Sequence, residues 1–486
     1  MNLNVLGKNA VIYSIGTACL RFAALLLIPL YTRALSVSEF GLLSTLLITI
    51  QIMAIWMDMG TRKGFLRFAA SFEVDNKIGH LIGSSILIIL AGGAAITAAA
   101  VMWLLPLFRN VLHTDQVLAY VVLSCCAALA QSLFHHITSY YRIRNEGMKY
   151  TITGVAAMVL LIVCNLIFLL IFDLGVNGAL LAQIISYGLL WLLICWNVHS
   201  RNSLGFSPRF FKMLLAFGFP LIFALSSDVV TDASALYLLS FFANLEHVAI
   251  YSLGQKFAMI ASMVLLLPFQ LAYEPFIYAH LDQPGLRDTI AKLLTYLMLA
   301  FTFVALAITF AFRDLLPVVA TANYSSAYLV VFLLLPGVAF RGVYHVGESL
   351  LHIKNKTYVT GGTVVLLSGL SVALNYWLIS LWGMYGAIVV FNLFMIVTAV
   401  VVMALGLKAF PIRLETGRLV SIAALFAFFL LMTYWLREAS PYIFYSVVPV
   451  IALGGLAFLY HGRFLDDREK SAIRAIISRV QMAILP

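Results

Sequence analysis

Charge is the scarcest feature of this chain: aspartate, glutamate, lysine and arginine make up 10% of its 486 residues, against 63% hydrophobic residues. That balance excludes a soluble globule that hides its apolar surface in a single core. It also removes the nucleic-acid reading that a net charge of +10 would invite in a soluble protein. Cysteine is sparse as well. Cys19, Cys125, Cys126, Cys164 and Cys195 all fall within apolar runs, and none has metal-ligand spacing to a second pair, so neither a disulfide nor a metal site is expected. There is no P-loop, no HExxH, no GxSxG and no glycine-rich nucleotide turn, so nothing points to nucleotide hydrolysis or to a familiar hydrolase. The expectation is a non-enzymatic chain without a cofactor, in which an ion gradient (proton or sodium) or the substrate gradient drives any transport.

What is abundant is apolar sequence in pieces of membrane-spanning length, which is about 20 residues for a helix. Windows near 9 to 32, 40 to 60, 79 to 105, 117 to 139, 150 to 172, 176 to 197, 212 to 239, 248 to 271, 290 to 311, 327 to 349, 358 to 380, 383 to 406, 418 to 436 and 441 to 461 predict fourteen transmembrane helices. The fold class is therefore all-α and polytopic. The first run exceeds a signal-peptide core and no small-residue cleavage site follows it, so it is expected to stay as the first span. With the N-terminus inside, 23 of the 30 lysines and arginines fall on the cytoplasmic side, four on the other side, and three (Arg21, Lys256 and Arg341) within spans. One missed or invented span would scramble this alternation, so the positive-inside rule supports fourteen spans with both termini cytoplasmic, as in a multi-pass protein of a bacterial inner membrane.

A shift of 208 residues pairs Gly175 and Gly178 with Gly383 and Gly386, Tyr150 with Tyr358, Gly154 with Gly362, Gly41 with Ala249, and Ser44 with Ser252. One offset serving several spans points to an internal repeat, as in many transporter folds. The division expected from it is a six-helix bundle over 1–210, a second over 211–407, and two further helices with a cytoplasmic tail over 408–486. In the tail, Ile473, Ile476, Ile477 and Val480 share a helical face away from Arg474 and Arg479, which suits either a helix on the inner leaflet or a short solvated one.

The external loops are short and no soluble domain interrupts the spans, so chemistry must lie within the membrane, where ionisable residues are costly and mark candidate sites. Arg21 sits mid-way along the stretch Asn9 to Leu35 and is a candidate for the path of an anion. By the 208 shift it maps beside Asp228, with Asp232 one turn further along span seven. An Arg21–Asp228 pair would then either line a cavity between the halves or merely hold them together. Lys256, in span eight, either faces that cavity or snorkels to the outer interface. Arg341, His345 and Glu348 fall at i, i+4 and i+7 of span ten, on one stripe. That stripe either relays a proton, histidine titrating near neutrality, or is a self-satisfied Arg–Glu pair. His135 and His136 occupy the matching depth of span four. Asp58 lies near Arg62 and Lys63 and reads as a surface residue. Pro29, Pro268 and Pro336 interrupt spans one, eight and ten.

The stretch from Pro29-Leu-Tyr-Thr-Arg33 to Ser38-Glu-Phe-Gly41 resembles the opening signature of the Wzx-type polysaccharide flippases, in the multidrug/oligosaccharidyl-lipid/polysaccharide exporter superfamily. Phe217-Gly-Phe-Pro220 and the run from Leu245 to Lys256 resemble the matching part of the second repeat. The resemblance implies a two-bundle fold that moves a polyprenyl-diphosphate-linked oligosaccharide between leaflets by alternating access. Membrane lipids, a glycan polymerase and export proteins would be its partners, and nucleic acid would not. Arg21, Lys256 and Arg341 would bind substrate, while Asp228, Asp232, His345 and Glu348 would couple an ion or gate. Where family members often carry an acidic residue in span seven, this sequence has Ala235, with Asp232 one turn earlier. An antiporter of drugs or metabolites with the same fold is the alternative. A membrane-embedded glycan polymerase or ligase is a third class, disfavoured by the short external loops.

Overall fold

The computed structural model describes residues 25–73, 77–112, 114–281 and 283–436, with a few positions between 442 and 455; the side chains at 70–73, 228 and 271 are not among those described. The described chain is helical throughout, as it must be where lipid offers no partner to backbone N–H and C=O groups. Its helices are α1 (Ile28–Ala34), α2 (Val37–Asp58), α3 (Thr61–Glu73), α4 (Ile78–Leu112), α5 (Val117–Ile143), α6 (Gly147–Ile171) and α7 (Gly175–Arg201). There follow α8 (Pro208–Phe242), α9 (Leu245–Ala279), α10 (Leu286–Val319), α11 (Ala327–Ile353), α12 (Thr357–Trp382), α13 (Met384–Ala409) and α14 (Thr416–Leu436). Twelve helices of the described residues are long and apolar enough to cross a membrane, and they are the second to thirteenth spans expected from the sequence. Most of the first span, nearly all of the fourteenth and the amphipathic tail lie outside the described residues.

The structure lengthens several spans. The third runs on to Leu112 through a π-helical turn at Ala100–Leu104, and the eighth covers Leu245–Ala279 with another at Ser262–Leu266, just before Pro268. The segment read as a cytoplasmic loop after the second span is helix α3, which packs against α4, α5 and α8. Its start is fixed locally. Met59 and Gly60 turn the chain through left-handed conformations (φ 45° and 68°), and the Asp58 carboxylate then accepts from the Thr61 hydroxyl at 3.1 Å and the Arg62 amide at 3.4 Å. Asp58 is therefore an N-terminal cap for α3, not the surface residue expected. Gly60 lies against the Gly218 backbone of α8, where a β-carbon would collide with the carbonyl.

Packing repeats along the chain. Helix α5 packs on α2, α4 and α7, and α11 packs on α9, α10 and α13; α6 lies on α7 as α12 lies on α13. The turns between α5 and α6 and between α11 and α12 are superimposable in kind: Asn145 and Asn355 both have φ 55°, and the following amide bonds back to Tyr141 O in one and Leu351 O in the other. Their spacing is 210 residues, whereas Gly175 and Gly383, both at φ 54°, keep the spacing of 208. The Tyr150 and Tyr358 pairing at 208 is therefore two residues out of register. Helices α2 and α9, equivalent in the repeat, pack on each other.

Candidate functional site

Between the helices of the first half and α8 and α9 lies a cavity of about 780 Å³. Part of its wall is the seam of α2 and α9, where Ser252 donates to Ser44 across 2.9 Å. Gln51 of α2, Asp232 of α8 and Gln255 and Lys256 of α9 line it, with Gln131, His135, Gln183 and Tyr187 of α5 and α7. It also reaches Arg62 and Lys63 of α3 and Arg142 of α5.

The electrostatics of this wall are one-sided. Lys256 is half-buried with its ammonium 4.9 Å from the centre of the Phe40 ring, a contact worth about 2 kcal/mol where water is excluded. Among the described residues no carboxylate lies within 4.0 Å of its ammonium or of the side-chain nitrogens of Arg62, Lys63 and Arg142, although the Asp58 carboxylate interacts with the Arg62 charge at longer range. Lys63 is pushed below the usual lysine range, first by loss of solvent around it and then by the charges of Arg62 and Arg142. One carboxylate, Asp232, lines the cavity among the described side chains and accepts from the Gln255 amide at 2.9 Å.

The residues singled out from the sequence separate into three groups. Lys256 and Asp232 line the one cavity, and the Lys256 ammonium reaches toward Phe40 near the start of α2. Arg341 borders it indirectly, through a 3.3 Å contact of its guanidinium with the sulfur of Met259, which does line it. His345 and Glu348 form a cluster of their own on α11: Glu348 meets His345 Nδ1 at 3.2 Å, the Tyr344 hydroxyl at 3.3 Å and His352 Nε2 at 3.9 Å. The alternative of an Arg341–Glu348 pair is thus replaced by a histidine–carboxylate cluster. Arg21 and the Asp228 side chain, and with them the proposed pair, lie outside the described residues.

Sequence reasoning missed Arg62, Lys63 and Arg142, which it counted as loop charges, and passed over His135 after noting its depth. The signal was present. At the 210-residue spacing of the two turns, Gln131 and His135 correspond to Arg341 and His345, so two positions of the stripe recognised on α11 have partners on α5, with Arg142 two turns further along. The partner stripe faces the cavity.

A ring of transmembrane helices around a central cavity, built from a repeated packing pattern, is a transporter architecture. It is the fold of a structure described as lipid II flippase MurJ in an inward closed conformation, with a TM-score of 0.71 at 13% identity over 93% of this chain and 99% of that one. An inward-facing multidrug resistance MATE family transporter of the MOP superfamily matches with a TM-score of 0.63 at 15% identity, over 82% and 94%. A MOP superfamily transporter from Pyrococcus furiosus, described as having a binding pocket of reverse polarity that suggests a different function, matches at 0.57 and 15% over 83% and 95%. These likenesses establish the fold. Among curated proteins no sequence matches the chain. The family model described as polysaccharide biosynthesis protein matches residues 6–279, and the chain belongs to that family. It is a multi-pass membrane protein of the fold shared by MurJ and the MATE transporters.

Proposed function

We propose that the protein is a flippase that carries a polyprenyl-diphosphate-linked oligosaccharide from the cytoplasmic to the outer leaflet by alternating access, for cell-surface polysaccharide biosynthesis. The observation that carries this reading is the central cavity. Arg62, Lys63, Arg142 and Lys256 line it without a carboxylate at ion-pair distance among the described residues. Cations left unpaired beside a low-dielectric cavity are costly, and a diphosphate is the ligand that would satisfy them with charge-assisted hydrogen bonds. Membership of the polysaccharide biosynthesis family and the likeness to a structure described as a lipid II flippase support the same cargo class.

In this scheme the diphosphate enters at Arg62, Lys63 and Arg142 from the cytoplasmic leaflet and advances to Lys256, with Arg21 and Arg341 further along the anion path. The bundles 1–210 and 211–407 then draw apart at the α2–α9 seam, and Asp228 and Asp232 serve the gate between them. The His345–Glu348 cluster lies outside the cavity lining and suits exchange of a proton or sodium ion coupled to that motion. A glycan polymerase and export proteins would take the product at the outer face of the inner membrane, with both termini in the cytoplasm.

The test is delivery of a fluorescent lipid-linked oligosaccharide across proteoliposome bilayers, at equal protein insertion. Wild type is expected to move it. Lys256→Ala, Arg21→Ala and the triple Arg62→Ala, Lys63→Ala, Arg142→Ala variant are expected to slow it tenfold or more, since each charge-assisted contact contributes roughly 1.5–3 kcal/mol. Equal rates in all four would remove the cationic path. Asp232 favours one second reading, an ion-coupled antiporter of cationic drugs or metabolites: cation efflux abolished by Asp232→Asn, with the basic residues dispensable, would establish that instead.

A further inference from the structure

A second cavity, of about 550 Å³, lies at the end of the molecule opposite Arg62 and Lys63, among the α8–α9, α10–α11 and α12–α13 connections. Its walls combine two features that carbohydrate sites share, flat rings and unengaged hydrogen-bonding groups. The rings are Trp382 and Tyr385, both half-exposed and flanking Gly383. Gly383 has φ 54°, and nothing lies within 4 Å of where its β-carbon would stand, so the turn presents both rings at the edge of open space.

The polar groups are Ser325, Ser326 and His247. Both serines are exposed, and neither hydroxyl has a partner among the described residues. The state of His247 follows from its neighbour. Asn244 Oδ1 accepts from the His247 backbone amide at 2.9 Å, which fixes that atom as oxygen, and it also meets His247 Nδ1 at 2.7 Å. Nδ1 is therefore the donor in that contact, and Nε2 is left for a ligand hydroxyl.

The repeat supplies an internal control. At the 208-residue spacing His247 corresponds to Glu39 and Gly383 to Gly175, and in the first half Glu39 packs over Gly175, its carboxylate oxygen 3.7 Å from the β-carbon position. It is held there by a capping box with Ser36. The second half has no such cover at Gly383, so the cavity is not a by-product of the shared turn. Trp and Tyr are also common at membrane interfaces merely as anchors. Paired hydroxyl and imidazole groups in a concave site are not part of that anchoring role.

We propose that this cavity is a glycan-binding subsite that holds neutral pyranose rings of the oligosaccharide at the outer end of the transporter, Trp382 and Tyr385 stacking on ring faces while Ser325, Ser326 and His247 bond hydroxyls. The inference rests on the flippase reading for its place in the cycle, yet the site is separate from the cationic cavity and is tested without transport.

The probes are neutral, lipid-free oligosaccharides of three to five hexose or N-acetylhexosamine units, added to the full chain in nanodiscs and followed by saturation-transfer NMR. Saturation should reach the sugar ring protons, and apparent affinity should fall roughly five- to tenfold in Trp382→Ala and in Tyr385→Ala. It should be retained in Trp382→Phe, which keeps a ring, and in Lys256→Ala. No transfer from any probe, or transfer indifferent to Trp382→Ala and Tyr385→Ala in correctly inserted protein, overturns the subsite. A wild type that binds these sugars but moves no lipid-linked oligosaccharide would leave the subsite standing and sink the flippase reading; the reverse pattern would do the opposite.

Discussion

Ser252 donates a hydrogen bond to Ser44 at 2.9 Å, and the two serines are 208 residues apart, the same interval that relates the repeats. Two equivalent residues can touch only where the pseudo-twofold axis passes between them. A second equivalent pair lies beside them: Gly41 meets the α9 backbone where a β-carbon would run into the Leu245 carbonyl and stand 3.3 Å from the amide of Ala249, its own mate. The α2–α9 seam is therefore both the axis of the repeat and part of the wall of the cationic cavity.

If alternating access opens the cavity by drawing the halves apart at this seam, its two serines must separate in each cycle. In a background lacking the five native cysteines, Ser44→Cys with Ser252→Cys should cross-link readily, given the separation the serine oxygens already have. Oxidation should stop delivery of the lipid-linked oligosaccharide, and a reductant should restore it. A cross-linked protein that transports at the wild-type rate would show that this wall stays closed.

Much of this was legible in the sequence, for physical reasons. Span positions follow from apolar length alone, and Ser44 and Ser252 could be paired because the repeat retained small residues at the axis. Lys256 was visible because a cation inside an apolar run breaks the pattern. Arg62, Lys63 and Arg142 were not, because at span ends a cavity-lining cation and a positive-inside cation look alike. What separates them is the Met59–Gly60 turn, which swings α3 back against α8 and directs Arg62 and Lys63 into the cavity. Likewise the stripe of Arg341, His345 and Glu348 could be read from its spacing. That its α5 counterpart faces the cavity is a matter of tertiary packing.

Lys256 sets function against stability. A cation without a carboxylate partner is destabilising at this depth by roughly 2.5–3.5 kcal/mol, and the Phe40 contact offsets about 2 kcal/mol of that. Lys256→Met keeps the stem and removes the charge, so the net effect should be a gain of about 1 kcal/mol, seen as a raised thermal midpoint in detergent, together with a loss of transport. A variant that is less stable than wild type would mean that Lys256 has a compensating partner.

Lys63 gives the pH dependence a sign. Its depressed pKa means that the ammonium is lost at a lower pH than for an ordinary lysine, near 10.4. Anion binding is therefore fully supported below the depressed value and weakens as pH rises through it. Stability moves the other way: the folded state holds the charged form less well than the unfolded state does, so the penalty is present below the folded pKa and disappears as pH rises to the unfolded one. Binding of a diphosphate analogue should weaken on the alkaline side, and Lys63→Arg should move that loss to higher pH. A profile unchanged by Lys63→Arg would assign the titration to another group.

Pro336 and Asn392 are expected to act as a unit. Proline removes one donor from the α11 ladder, and on either side of it the carbonyl of Leu333 and the amide of Gly337 both bond the Asn392 side chain of α13. Gly337 N–H donates to Asn392 Oδ1 at 2.7 Å, and Asn392 Nδ2 donates to Leu333 O at 2.9 Å. Asn392→Ala would leave both backbone groups open and should cost about 1–3 kcal/mol. In a Pro336→Ala background the helix can close its own bond, so the same substitution should cost less, with a coupling of at least about 1 kcal/mol in a double-mutant cycle. The cycle can be read from thermal or denaturant unfolding in detergent, with transport measured alongside. Additive losses would mean that Asn392 packs against α11 without repairing the break, and that the Pro336 site is not held open by its neighbour.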